Sequence, residues 1–319
     1  MQNISILGAG HWGLALASVL ASNKNNVLVY ARDINKVNDL NNNHKSIYIK
    51  DYTFSDLIKA TNDLEEAINY SDIIVIALPV VSIIDTLKPY LNKYNKTYVF
   101  TSKGLYKGET MSNLFTSINP NLSLAVLSGP SFSNEVIEKK FTAVTIASKN
   151  IETAKNLQTL FSNEYFRVYT LEDVIGVEIC GAIKNVFAII CGMVDGAKMG
   201  SNTKNAMITR GLAEMKRLIS YYGGKIDTLY GLAGIGDIML TCNSLESRNY
   251  SYGYSYVTGD KSSASGVVEG LNTVKEIHAL SSKINIEMPI TNALYQVLFE
   301  GKEIKSTAIE LMTRTLKNE

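Results

Sequence analysis

Cysteine is scarce in this chain: 319 residues contain only Cys180, Cys191 and Cys242, an odd number with no metal-ligand spacing. That excludes a disulfide scaffold and a cysteine-rich metal site, and a reduced, cytoplasmic compartment fits best. Two of the three lie in an apolar helical stretch, where cysteine behaves as a small core residue. Charge of one sign is also lacking. A net charge of +1 gives no electrostatic case for a nucleic-acid or membrane-surface partner. Short Lys/Asn clusters such as Asn41–Lys45 read as solvated loops. No apolar run approaches the ~20 residues a membrane helix needs, so membrane insertion is not expected. The N-terminus enters a strand at once, without the basic region and apolar core of an export signal. Histidine is nearly absent too. His11 sits in a glycine turn, His44 in a polar loop and His278 in a helical stretch, so no Ser/His/Asp, metal or paired-carboxylate arrangement suggests itself.

What is present is a soluble, globular composition, 46% hydrophobic and 19% charged with five prolines, long enough for two domains. The first half alternates short apolar runs with helical patterns. Asn3–Leu7, Val27–Tyr30, Asp72–Leu78, Thr97–Phe100, Ser123–Leu127 and Thr142–Ala147 are mostly β-branched, and Phe166–Thr170 supplies a late strand. Trp12–Ser22 and Asn62–Asn69 read as helices between them. This alternation predicts an α/β fold, an N-terminal Rossmann-like, doubly wound parallel sheet. After Ile175 the stretches Val177–Val194, Asn205–Tyr222, Val268–Ser281 and Thr291–Phe299 predict an all-helical C-terminal domain, entered without a flexible linker. The division expected is 1–176 for the dinucleotide-binding domain and 177–319 for the helical substrate and catalytic domain. There is no solenoid-period repeat. Tyr250, Tyr252, Tyr254 and Tyr256 alternate with small polar residues, which reads as a mobile or edge-strand loop.

Gly8-Ala-Gly-His-Trp-Gly13 follows the first strand and opens a helix. In that context the first glycine makes a tight turn, and the second lets a pyrophosphate approach the backbone. The third allows close helix–strand packing, and the helix N-terminus meets the phosphate charge. Asp33, about twenty residues beyond Gly13, can bond a ribose hydroxyl, whereas Arg32 can pair with a 2′-phosphate. Both occur, so NAD against NADP stays open, with Arg32 weighing towards NADPH. Lys103 in Thr101-Ser-Lys-Gly104 and the stretch Leu127-Ser-Gly-Pro-Ser-Phe132 both follow strands, at the rim where a parallel sheet binds ligands. Lys103 can meet phosphate or carboxylate there, or be a surface lysine beside a turn.

Lys184 is the only charged residue between Glu178 and Asp195. An ammonium in so apolar a helix must find polar partners or lose its proton, unless it snorkels to water. Asp237 and Thr241 are one helical turn apart if their segment is helical, and Arg248 in Ser247-Arg-Asn249 offers a planar fork suited to phosphate. As isolated residues, Asp237 could be a cap and Arg248 a solvated charge.

At these residues the chain resembles the bacterial NAD(P)-dependent glycerol-3-phosphate dehydrogenases. The matching stretches are Gly8–Gly13, Ser102–Gly104, Leu127–Phe132, Val177–Asp195, Asn202–Lys204, Ile208–Met215, Gly231–Cys242, Ser247–Asn249, Val267–Gly270 and Glu287–Ile290. They run in family order over nearly the whole chain. The resemblance implies reversible reduction of dihydroxyacetone phosphate to sn-glycerol 3-phosphate with NAD(P)H, feeding phospholipid synthesis. It also implies Lys184 as the catalytic lysine, supported by Asn185, Asp237 and Thr241. Substrate contacts carry over to Lys103, Gly129, Ser131, Ser247, Arg248 and Asn249. Cofactor contacts carry over to His11, Trp12, Arg32, Lys103, Ser133, Arg248, Val267 and Glu269, beside the glycines Gly8, Gly10 and Gly13. The chain departs from the pattern after Asn249, where Tyr-Ser-Tyr-Gly253 replaces basic residues and Phe-Gly, and over Asn43–Tyr52, which lacks a Leu-Pro segment. Two other readings remain: a β-hydroxyacid dehydrogenase, which needs a carboxylate site rather than a phosphate clamp, and a catalytically silent dinucleotide sensor. A homodimer is a possible assembly that the sequence does not determine.

Overall fold

The computed structural model describes residues 1–260 and 267–315. Its first part is β1 (Asn3–Leu7), α1 (His11–Ser22), β2 (Asn26–Tyr30), α2 (Ile34–Asn38), β3 (Ile58–Thr61), α3 (Leu64–Tyr70), β4 (Ile73–Ile76) and α4 (Val80–Leu87). Then come β5 (Thr97–Phe100), α5 (Met111–Ile118), β6 (Ser123–Ser128), α6 (Ser133–Ile137), β7 (Thr142–Ala147), α7 (Ile151–Phe161) and β8 (Phe166–Leu171). The eight strands form one sheet in the order β3-β2-β1-β4-β5-β6-β7-β8, parallel except where β7 runs antiparallel to β6. The order reverses between β1 and β4, so the carboxyl ends of these two strands open a crevice for a ligand. Strand interiors are apolar on both faces because helices cover both. One core joins Ile4, Ile6, Val27 and Val29 to Leu14, Leu16 and Phe161. Another joins Leu7, Ile74, Ile76 and Phe100 to Phe115 and Val177, with Phe100 and Phe115 edge to face at 4.7 Å.

The strand β3 escapes sequence reading because Ile58-Lys-Ala-Thr61 is short and lies at the sheet edge, where only part of it needs to be apolar.

The helical part is α8 (Val174–Gly196), α9 (Ser201–Tyr221), α10 (Asp237–Thr241), α11 (Arg248–Thr258), α12 (Glu269–Ile284), α13 (Pro289–Phe299) and α14 (Ile304–Met312). Only Glu172 and Asp173 separate β8 from α8, and α8 runs unbroken across residues 176 and 177. Asp173 fixes this junction: Oδ1 accepts from Gly176 N at 2.9 Å and Oδ2 from Lys225 N at 2.8 Å. At 23 residues and a mean hydropathy of 1.9, α8 has the length and composition of a membrane span, which inspection for uninterrupted apolar runs overlooks. Its apolar surface is instead buried by protein, 94% in its most apolar window. That makes it the axle of a third core with Met215, Leu218, Val274 and Leu294.

The alternating tyrosines do not form a loop or edge strand: they lie in α11, which packs along α8. A Cβ on Gly192 would stand 2.0 Å from Tyr250 O, and one on Gly253 2.0 Å from Ile189 O. Backbones approach this closely only because both positions lack side chains, and the buried Ser251 and Ser255 flank Gly253. The tertiary contact, rather than local propensity, makes this segment helical.

Candidate active site

The glycine turn behaves as its spacing predicts. Gly8 has φ +121°, and a Cβ there would lie 2.6 Å from Ala77 O, so the turn between β1 and α1 is tight against β4. A Cβ on Gly13 would lie 2.0 Å from Gly8 O, whereas one on Gly10 would meet nothing within 4 Å. The first and third glycines are thus consumed by packing, and the second leaves its backbone open at the helix N-terminus. This is the shape a dinucleotide pyrophosphate requires. His11 and Trp12 begin α1, and Arg32 lies exposed at the end of β2. Asp33, read as a ribose ligand, has an exposed side chain that caps α2 by accepting from Asn35 N at 3.0 Å.

Across the crevice, Lys184 does not snorkel. It is buried, and its Nζ donates to Asp237 Oδ1 at 2.6 Å and to Thr241 Oγ1 at 2.9 Å. Asp237 and Thr241 share one turn of α10, and Thr241 Oγ1 also donates to Asp237 Oδ1 at 3.1 Å. Asp237 is therefore a charge partner and not a helix cap. Its second oxygen, Oδ2, accepts from Lys103 Nζ at 2.6 Å, and that lysine reaches Gly129 O at 3.5 Å. Two ammonium groups from opposite sides of the crevice thus share one buried carboxylate. Gly181 lets α8 come this close, since a Cβ there would lie 3.3 Å from Lys103 Cγ. Sequence reading gave Lys103 a ligand-facing role and did not foresee that it pairs with Asp237. No local signal links positions so far apart in the chain.

The charge balance follows from burial. Desolvation lowers the Lys184 pKa to about 8; the Asp237 charge opposes the fall and Lys103 adds to it. For Asp237, burial opposes ionisation, but Lys103 and then Lys184 outweigh it and hold the carboxyl below its usual range.

The remaining candidate residues lie on other loops and helix starts. Gly129, at φ +150°, packs where a Cβ would be 2.9 Å from Val144 Cα, and Ser131 Oγ donates to Gly129 O at 3.2 Å. Ser133 is the first residue of α6. Asn185 follows Lys184 and is buried. Ser247 caps α11 by accepting from Tyr250 N at 3.3 Å, leaving its own O–H to donate. Asn249 Oδ1 accepts from Gly270 N at 2.9 Å, so that oxygen ties down α12 and only the amide NH2 is left for a ligand. Arg248 is exposed. Glu269, at the start of α12, has its pKa raised by burial against the pull of Arg248, Lys103 and Lys184. His11 is lowered by burial and then by Arg248, while a hydrogen bond to the Tyr48 backbone opposes both. Arg248 therefore acts on groups of both walls. Val267 is 55% exposed. Ser128, part of the rim stretch Leu127–Phe132 though not singled out within it, has a buried hydroxyl beside Gly181 with no partner among the described residues.

Comparison with known proteins places this arrangement. The model of the NAD-dependent glycerol-3-phosphate dehydrogenase N-terminus matches residues 3–154, and that of the C-terminus matches 173–309. A glycerol-3-phosphate dehydrogenase [NAD(P)+] of Staphylococcus haemolyticus is 40% identical, with 100% of each chain covered. The crystal structure of a glycerol-3-phosphate dehydrogenase from Coxiella burnetii superposes with a TM-score of 0.93 at 37% identity, over 98% of this chain and 99% of that one. A D-mandelate dehydrogenase with NADH reaches only a TM-score of 0.60 at 13% identity, over 94% and 98%, and so shares the fold alone. The chain belongs to the NAD-dependent glycerol-3-phosphate dehydrogenase family.

Proposed function

We propose that Lys184 handles the proton in the reaction of this family, the reversible NAD(P)H-dependent reduction of dihydroxyacetone phosphate to sn-glycerol 3-phosphate. The observation that carries this reading is a buried ammonium held from behind by Asp237 Oδ1 at 2.6 Å and Thr241 Oγ1 at 2.9 Å. An ammonium has three donors; among the described residues two are occupied, which leaves the third for the substrate's carbonyl oxygen. Reduced nicotinamide, when bound, supplies the hydride. Lys184 donates its proton to the oxygen as negative charge develops there, and in the oxidative direction the neutral amine withdraws it from the hydroxyl. With its pKa lowered to about 8, Lys184 exchanges protons near neutral pH. When Lys184 is neutral, Asp237 still pairs with Lys103, so the buried carboxylate is never left uncompensated.

Arg248 clamps the substrate phosphate at the N-terminus of α11, whose positive end adds to its charge. Ser247, Asn249, Gly129, Ser131, Lys103 and Asn185 complete the substrate side. Gly8, Gly10, His11, Trp12, Gly13, Arg32, Ser133, Val267 and Glu269 line the cofactor side. Residues 1–176 form the dinucleotide-binding domain and 177–319 the helical substrate and catalytic domain, with Lys103, Gly129 and Ser131 of the first reaching the substrate and Val267 and Glu269 of the second reaching the cofactor; 261–266 and 316–319 lie outside the described residues. The product, glycerol 3-phosphate, supplies glycerophospholipid synthesis.

The test is consumption of NADH or NADPH by the purified chain on addition of dihydroxyacetone phosphate. Turnover of a 3-hydroxyacid's keto form in its place, or cofactor binding without turnover of either, would overturn the proposal.

A further inference from the structure

Beside the glycine turn, side chains from two elements, α1 and α2, converge on Tyr48. His11 packs on it with ring centroids 5.0 Å apart. Lys36, from α2, donates from Nζ to Tyr48 Oη at 2.6 Å. Tyr52 and Ser18 hydroxyls, 2.6 Å apart, pin the same segment to α1. This is the stretch of chain that departs from the family's pattern, and it straps the end of α2 to the N-terminus of α1. Lys36 has no ion-pair partner among the described residues. Its ammonium therefore keeps two donors free after bonding Tyr48. It also borders an open polar cavity of about 440 Å³ with Asp33, Asn38, Asp39 and Ile47, so a ligand can reach it. Arg32 stands four residues earlier, at the carboxyl end of β2, where the ribose end of a dinucleotide lies in such sheets.

We propose that Lys36, oriented by Tyr48, is a cofactor-specificity residue that together with Arg32 takes the 2′-phosphate of NADPH. The argument is one of electrostatics and preorganisation. A dianionic phosphate beside two cations that have no ion-pair partner among the described residues gains charge-assisted hydrogen bonds that a ribose hydroxyl cannot match. Tyr48 fixes the flexible lysine stem beforehand, so less side-chain freedom is lost on binding. Asp33 and Asp39 border the same cavity and oppose an anion there; the Asp33 carboxylate accepts from Asn35 N of α2, which offsets part of that repulsion. The inference rests on the cofactor site described above and adds which of its residues distinguishes the two dinucleotides.

Titration of NADPH and NADH, followed by their fluorescence, tests this in wild type, Lys36→Ala and Tyr48→Phe. Lys36→Ala should raise the Kd for NADPH by at least about 10-fold, as for a charge-assisted hydrogen bond, and leave that for NADH within about 2-fold. Tyr48→Phe keeps the ring and the ammonium but removes the anchor oxygen, and should weaken NADPH alone by a few-fold. The preference should shrink with added salt. Equal losses for both cofactors would assign Lys36 to the pyrophosphate, and no loss for either would make it structural; each result overturns the proposal. Failure of the wild-type chain to bind either cofactor would instead overturn the cofactor site itself.

Discussion

Replacing Asp237 with asparagine removes the one negative charge shared by Lys103 and Lys184 while keeping the side-chain shape. Each lysine now lies 2.6 Å from a carboxylate oxygen. Unit charges about 4 Å apart interact by about 4 kcal/mol at an effective dielectric near 20, equivalent to about 3 pKa units. Lys184 already sits at about 8 because burial outweighs Asp237. Without the carboxylate, desolvation and the facing Lys103 act unopposed, and the Lys184 pKa should fall by at least about 2 units. For reduction the lysine must be protonated, so wild-type kcat/KM should decline as pH rises through about 8. In Asp237→Asn that decline should move down by at least about 2 units, with roughly 10-fold less activity at pH 7 and a loss approaching about 100-fold above pH 8. The oxidative direction needs the neutral amine, so the variant's activity there should persist to lower pH than wild type's. Rate–pH profiles in both directions provide the assay, with cofactor titration confirming a folded protein. An alkaline limb that stays in place while activity falls uniformly would refute this account of Lys184, and Asp237 would then act only by positioning.

Other consequences are equally direct. Lys184→Ala should lower kcat by about 100-fold or more and leave the cofactor Kd nearly unchanged, as stopped-flow turnover and titration would show. Arg248→Ala should raise KM for dihydroxyacetone phosphate steeply and lower kcat as well, because the phosphate's binding energy orients the carbonyl. Unphosphorylated dihydroxyacetone, a poor substrate from the start, should lose much less activity, and equal losses for the two would remove Arg248 from the phosphate. Gly253→Ala sets two effects against each other. Helix propensity favours alanine by up to about 1 kcal/mol, but the new Cβ would stand 2.0 Å from Ile189 O. Separating α8 from α11 should win, with a net loss of about 1–3 kcal/mol in denaturant unfolding.

The sequence by itself determined the elements whose signals are local. The sheet-helix alternation and the glycine turn follow from spacing, because a tight turn, an open backbone and a close helix contact each require glycine at a fixed step. Lys184 was legible as an anomaly, one ammonium in an apolar helix, and Asp237 with Thr241 as a pair separated by a single turn. Tertiary structure decided what those residues meet. That Lys184 is held rather than snorkelling, and that Lys103 grips the other oxygen of the same carboxylate, depends on α8 approaching β6 closely at Gly181. The tyrosine-rich stretch became a helix only because glycines on two distant segments, Gly192 and Gly253, allow their backbones to touch. The strap that brings Tyr48 onto His11 and Lys36 likewise carries no local pattern. Periodicity reports which face of an element is buried; the partner on the other side is fixed by long-range packing, which no short window of sequence contains.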